Sequence, residues 1–200
     1  MADGFDGQKR ETLRRFAAIG AAAPFVGSAS AETGDNETRA AIRGYVSRTP
    51  GAHFSKLRDD LRLGTGETQY HLRKLTEAGA IESAKDADYR RYFPANQFDA
   101  LDKRALGYLR RDTPRGVILA LLRDPDATGA AVAAEIGVSQ PSVSAAAGNL
   151  AAAGLLDRSD GYTLIEPERL LTLVVRYADS FDSDAVALAN DASSLVRYDP

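Results

Sequence analysis

Displaced by 75 residues, this chain falls on itself without a gap. Ile42 lands on Val117, Val46 on Leu121 and Pro50 on Pro125. Leu57, Leu61 and Leu63 land on Val132, Ile136 and Val138. Thr68, Leu72 and Leu75 land on Val143, Ala147 and Leu150, then Gly79 on Gly154 and Ile81 on Leu156. A period this long is not a solenoid unit; it reads as a duplicated domain. The matched positions are mostly apolar, so the two copies share a core pattern. Two hundred residues leave room for two such domains and their connections.

The first copy opens with a helix over residues 37–48, capped by Asp35 or Asn36, with Ile42 and Val46 on one face. Thr49-Pro50-Gly51 ends it. A short helix, Phe54–Leu61, leads through the turn Leu63-Gly64-Thr65-Gly66 into a second helix, Glu67–Glu77. Thr68, Leu72 and Leu75 recur at i, i+4, i+7, the spacing of a half-buried helix, and Gly79 stops it. Ala80–Ser83 and Tyr89–Phe93 flank a polar turn, residues 84–88. Two helices across a tight turn, followed by a hairpin, outline a winged helix-turn-helix. Its second helix offers Gln69, Tyr70, Arg73 and Lys74, and its hairpin Lys85, Arg90 and Arg91.

The second copy repeats the plan. Thr113-Pro114 starts a helix, and Ser139 caps the helix after the turn Gly137-Val138-Ser139. Residues 155–158 and 162–165 form its hairpin around Ser159-Asp160-Gly161. Between the copies, Phe98, Leu101, Ala105, Leu106 and Leu109 stripe a connecting helix within residues 98–112. Two further helices follow, Pro167–Ala178 and Asp184–Val196. Leu170, Leu171, Val174, Val175 and Tyr177 exceed what one small domain needs, which predicts a two-fold dimer interface there. The expected fold is mainly α with small β wings: two tandem winged helix-turn-helix domains, residues 37–97 and 113–166, plus C-terminal helices, residues 167–200.

Composition excludes several chemistries. The absence of cysteine removes disulfides, zinc fingers and thiol redox sensing, and two histidines make a histidine metal cluster untenable. Gly64-Thr65-Gly66 lacks the Lys-Ser/Thr of a phosphate loop, neither histidine accompanies a nucleophile motif, and Asp59-Asp60 are helical neighbours that do not face each other. No cofactor is implied, and the chain does not read as an enzyme. The net charge of -3 is unevenly spread. Residues 37–94 carry eleven Lys/Arg against eight Asp/Glu; residues 117–166 carry two against six. The excess of Asp over Glu and of Arg over Lys resembles proteins of salt-loving archaea.

Residues 68–75, Thr-Gln-Tyr-His-Leu-Arg-Lys-Leu, then Glu77-Ala78-Gly79-Ala80-Ile81, are similar to the recognition helix and wing entry of the MarR/ArsR superfamily. Val138-Ser139-Gln140-Pro141-Ser142-Val143-Ser144 is similar to a recognition-helix start of the same superfamily. Over residues 37–166 the chain resembles tandem winged-helix transcriptional regulators of haloarchaea. That resemblance implies a cytoplasmic, homodimeric regulator of double-stranded DNA, its small-molecule effector unspecified. With Leu72 and Leu75 facing the core, Gln69 and Arg73 would face the major groove, where Gln matches adenine and Arg guanine. Lys74, Lys56, Arg58 and Arg43 would contact phosphates, and Lys85, Arg90 and Arg91 would seat the wing. The second recognition helix departs from the pattern: Gln140–Ala153 holds no Lys or Arg. Gln140, Ser142, Ser144 and Asn149 are its candidate contacts; the copy reads equally as a dimerisation or effector module. The rival for the whole chain is a winged-helix interaction module that has lost DNA binding.

The remaining signals have structural readings. His71 is expected as a satisfied histidine at the core edge, His53 as a capping residue, and Tyr89, Tyr92 and Phe93 as packing beneath the wing. In residues 1–36, Arg14-Arg15, an uncharged run and Ser28-Ala29-Ser30-Ala31 resemble a twin-arginine export signal. The alternative, and the expectation adopted, is a retained and mostly disordered leader.

Overall fold

The computed structural model describes residues 3–20, 33–86 and 89–195. It divides into two compact units, Met1–Asp99 and Ala100–Pro200.

The first unit is built on α2 (Thr33–Arg48), α3 (Phe54–Asp60) and α4 (Thr65–Glu77), with a sheet of β1 (Ala52–His53), β2 (Ile81–Asp86) and β3 (Tyr89–Pro94) in the order β1-β3-β2. Both strand pairs are antiparallel, with Ala52 opposite Tyr92 and Ser83 opposite Tyr92 on the other side. Ile42, Val46, Leu57, Leu61, Leu72, Leu75 and Ile81 are buried together, as their spacing requires. His53 caps α3: its Nδ1 accepts from the Lys56 N–H at 3.2 Å.

The second unit repeats these elements with α6 (Asp112–Arg123), α7 (Gly129–Ile136), α8 (Gln140–Ala152), β4 (Leu156–Asp157) and β5 (Thr163–Leu164). The duplication extends to individual hydrogen bonds. At the end of α4, the Ala80 N–H reaches the Leu75 carbonyl at 2.9 Å; at the end of α8, the Leu155 N–H reaches the Leu150 carbonyl at 2.9 Å. Gly79 and Gly154 make this closure possible at φ +64° and +72°, the left-handed region glycine enters without a Cβ penalty.

Several expectations change. Residues 3–20 are a helix, α1 (Asp3–Gly20), and not a disordered leader. Leu13, Phe16 and Ala17 share one face and join the core of the first unit, Phe16 edge-on to Tyr45 at 5.3 Å. Arg14, half of the arginine pair, lies 3.6 Å from Glu37 of α2. The Ala/Gly run from residue 21 and the Ser-Ala end at residues 28–31 lie outside the described residues. The helix read as a connector, α5 (Ala100–Leu109), packs within the second unit, where Arg169 donates to Asp102 at 2.7 Å. Phe98 stays with the first unit, against Phe93 at 6.0 Å.

The apolar excess of α9 (Pro167–Tyr177) is largely used inside its own unit. Leu170, Leu173, Val174 and Tyr177 are buried, and the helix packs on α5, α6 and α10 (Ser183–Leu195). Leu171 is half-buried and Val175 exposed, so the proposed five-residue interface does not stand on the surface as a set. Below it, Arg115 is buried and donates to Asp182 at 2.7 Å and to the Leu109 carbonyl at 3.1 Å.

Arg91 requires the plainest correction. Expected on the wing as a DNA contact, it is only 2% exposed. Strand alternation turns it inward, where it pairs with Asp86 and donates to the Gly51 carbonyl at 2.8 Å. One guanidinium thereby ties the wing to the turn before β1. Removing it would delete the pairing with Asp86 and the buried hydrogen bond to the Gly51 carbonyl. Arg91→Ala should therefore cost about 3 kcal/mol in a urea titration of the full chain. Arg90→Ala, on the exposed face, should stay within about 0.5 kcal/mol.

His71 is buried at the α2–α4 junction, deeper than a core edge. Its Nδ1 has no hydrogen-bond partner among the described residues, and its Nε2 lies 3.9 Å from Asp35. Burial lowers its pKa, with Asp35 and Glu67 opposing and Arg39 and Lys9 assisting more weakly. Burial and then Arg91 lower that of His53 as well. Both histidines fold as neutral imidazoles, so the unfolded chain binds protons first. Their contribution is complete above about pH 6.5 and is lost as pH falls below it. Stability should decline as pH falls below about 6.5, and His71→Leu should reduce that decline in urea midpoints measured across pH.

Candidate nucleic-acid interface

Local physics places the exposed face of α4. Gly64 is extended (φ -69°, ψ 152°) and precedes the first turn, where the Glu67 carboxylate accepts the Gly64 N–H at 3.2 Å. Thr68, His71, Leu72 and Leu75 point into the core. Gln69, Tyr70, Arg73 and Lys74 are thereby left on the outer face, all exposed. Tyr70 is 41% exposed, its ring edge-on to His71 at 5.0 Å.

The wing stands beside this face. Gln69, Arg73, Thr76 and Glu77 of α4, with Ser83, Arg90 and Tyr92 of the wing and Phe54 of α3, line an open groove. On the wing, Lys85 and Arg90 are directly opposite across the β2–β3 ladder and both exposed. Like charges in that register repel by some tenths of a kcal/mol. An anion drawn over the wing relieves that repulsion. The helix cations are held only loosely: Arg73 lies 3.8 Å and Lys74 3.6 Å from Glu77, all three well exposed. Such pairs contribute little and exchange readily for another anion.

The remaining candidates are less free. Lys56 donates to both oxygens of Asp60 at 2.8 Å, and the same carboxylate accepts the Tyr45 hydroxyl at 2.7 Å. Arg58 pairs with its neighbour Asp59 at 2.7 Å. Tyr92 and Phe93 are buried, as expected of wing packing, but Tyr89 is 50% exposed and tilted over His53 at 5.1 Å between ring centres. The opposition of Lys85 and Arg90 was not read from the sequence, although strand pairing around residues 84–88 would have predicted it. Residues 87–88 of that turn lie outside the described residues.

In the second unit α8 presents Gln140, Ser142, Ser144 and Asn149, all exposed and uncharged. Ser142 is partly engaged at the helix start, its hydroxyl 2.9 Å from that of the cap residue Ser139. Arg158 of the hairpin leans over this face, 3.4 Å from the Ser144 hydroxyl and close against Gly148. Among the described residues, no group of three or more His, Asp or Glu is placed to hold a metal ion, and no helix is long and apolar enough to cross a membrane.

Comparison with known proteins finds one match for each half of the chain. Residues 36–106 match the family model of an N-terminal HTH domain, and residues 112–162 match the MarR family. An uncharacterized HTH-type transcriptional regulator of Methanocaldococcus jannaschii is 33% identical over 90 residues, 45% of this chain and 22% of the relative. The matched part thus spans about a fifth of that protein's length. No solved structure matches. The chain is a tandem of two helix-turn-helix domains, the first similar to an N-terminal HTH domain and the second similar to the MarR family.

Proposed function

We propose that this protein is a DNA-binding transcriptional regulator that reads double-stranded DNA with its first domain. One observation carries the reading: Gln69 and Arg73 of α4 and Arg90 of the wing line one groove, with Lys74 exposed on the same helix and Lys85 opposite Arg90 across the wing ladder. A helix in the major groove positions Gln69 and Arg73 for base edges. Lys74, Lys85 and Arg90 neutralise phosphates, with Tyr70 beside them. Lys56 and Arg58 serve as peripheral phosphate contacts once released from Asp60 and Asp59. Arg91 supports the wing from within.

The regulator acts in the cytoplasm, where its DNA is. It works as a homodimer that sets two copies of α4 in successive major grooves. Leu171 and Val175, the part of the α9 stripe left uncovered by its own unit, favour that assembly. Light scattering that gave a monomer mass at every concentration would remove the dimer.

The test is a shift assay on a duplex selected by the protein from a random-sequence pool, against a scrambled duplex of equal length. Arg73→Ala should lose about 1–3 kcal/mol on the selected duplex and less on the scrambled one. Arg90→Ala should weaken both alike and lower the salt slope by about 0.9. Failure of the wild-type chain to enrich any duplex at low salt would overturn the reading.

A further inference from the structure

The two domains share a backbone but differ at the turn between the helices of the motif. In the second domain the residue after α7 is Gly137, left-handed at φ 69°. Its counterpart in the first domain is Arg62, left-handed at φ 55°. An L-residue with a Cβ is strained there, and glycine is not. The Arg62 side chain donates to Gln8 of α1. On the other side of the same turn, Lys9 of α1 donates to both oxygens of Glu67 at 3.2 and 3.0 Å. Glu67 in turn holds the Gly64 N–H at the start of α4. Its counterpart in the second domain is Ser142, which has no carboxylate to offer.

Consecutive residues of α1 thus grip both ends of the turn Arg62–Glu67, and both gripped residues are replaced in the copy whose recognition helix lacks cations. The Lys9–Glu67 pair is partly shielded, at 25% and 32% side-chain exposure. Leu13, Phe16 and Ala17 seat the rest of α1 on the core, so the grip is anchored. We infer that α1 is a built-in clamp on the turn of the first domain, with Gln8 and Lys9 acting as positioning residues that fix the pose of α4 for sequence reading without touching DNA. This inference rests on the DNA-binding reading above.

The experiment uses full-length protein and the selected and scrambled duplexes. Lys9→Gln and Glu67→Gln each remove the ion pair, and glutamine at 67 still caps Gly64. Each should weaken binding to the selected duplex about three- to tenfold and leave the scrambled duplex within twofold. The double variant should lose no more than either single one, the non-additivity of a pair acting as a unit. Arg62→Gly relieves the left-handed arginine, so it should keep or raise the thermal midpoint while still weakening the selected duplex. Lys9→Arg should restore wild-type binding. Additive losses with a salt slope lowered by about 0.9 in Lys9→Gln would make Lys9 a direct phosphate contact and overturn the inference. Unchanged affinity in the single variants would overturn it too. A wild-type chain that selects no duplex would instead remove the reading beneath it.

Discussion

The guanidinium of Arg91 lies where water does not reach it, and the placement of the wing follows from how its charge is met. Asp86 meets it from the other wing strand, and the Gly51 carbonyl meets it from the turn that ends α2. A buried cation without such partners would cost several kcal/mol, so the two strands and the turn are held in one arrangement. β1 adds ladder pairing to the same strand, at Ala52–Tyr92 and His53–Arg91. The wing is therefore fixed to α2 and α3 by polar bonds as well as by Tyr92 and Phe93. That is why Arg90, the neighbour on the opposite face, stays beside α4 with its charge outward. Strand alternation divides the Arg-Arg pair into one buried and one exposed residue.

The second domain shows how far the backbone can be kept while the chemistry is changed. Its helix α8 starts and stops at the same offset as α4, and its closing hydrogen bond repeats that of the first. Yet where α4 exposes Arg73 and Lys74, α8 has a half-buried Gly148 and an exposed Asn149. Core positions answer to packing, which both copies need; exposed positions answer to partners, which they need not share. The acidic excess of residues 117–166 points the same way, because it disfavours anions where the basic excess of residues 37–94 favours them.

Much of this fold was legible because its strongest signals are local. Apolar spacing at Leu57, Leu61, Thr68, Leu72 and Leu75, and glycine stops at Gly79 and Gly154, place helices without knowledge of the rest of the chain. What was missed depends on partners distant in sequence. Arg91 reads as a surface cation until Asp86 and Gly51 are seen around it. The α9 stripe reads as an interface until α5 and α10 are seen to cover it. In α1 the apolar face of Leu13, Phe16 and Ala17 is short and runs into an Ala/Gly stretch, so the segment reads as a leader until Tyr45 is found against it. The exposed face of α4 was readable for the opposite reason: once Leu72 and Leu75 are inside, helical geometry alone puts Gln69 and Arg73 outside.

Salt separates the two kinds of interaction in this protein. Arg91 and Arg115 are sheltered from solvent, and mobile ions screen sheltered pairs weakly. Arg73, Lys74, Lys85 and Arg90 are exposed, and their attraction to an anion falls steeply as salt rises. A chain arranged in this way keeps its fold while the long-range part of its binding is weakened. What then remains is short-range: donors such as Gln69 and Arg73 meeting acceptors at fixed distance. Such contacts depend on how accurately α4 is held, and so the rigidity of the turn before it governs recognition more as screening grows.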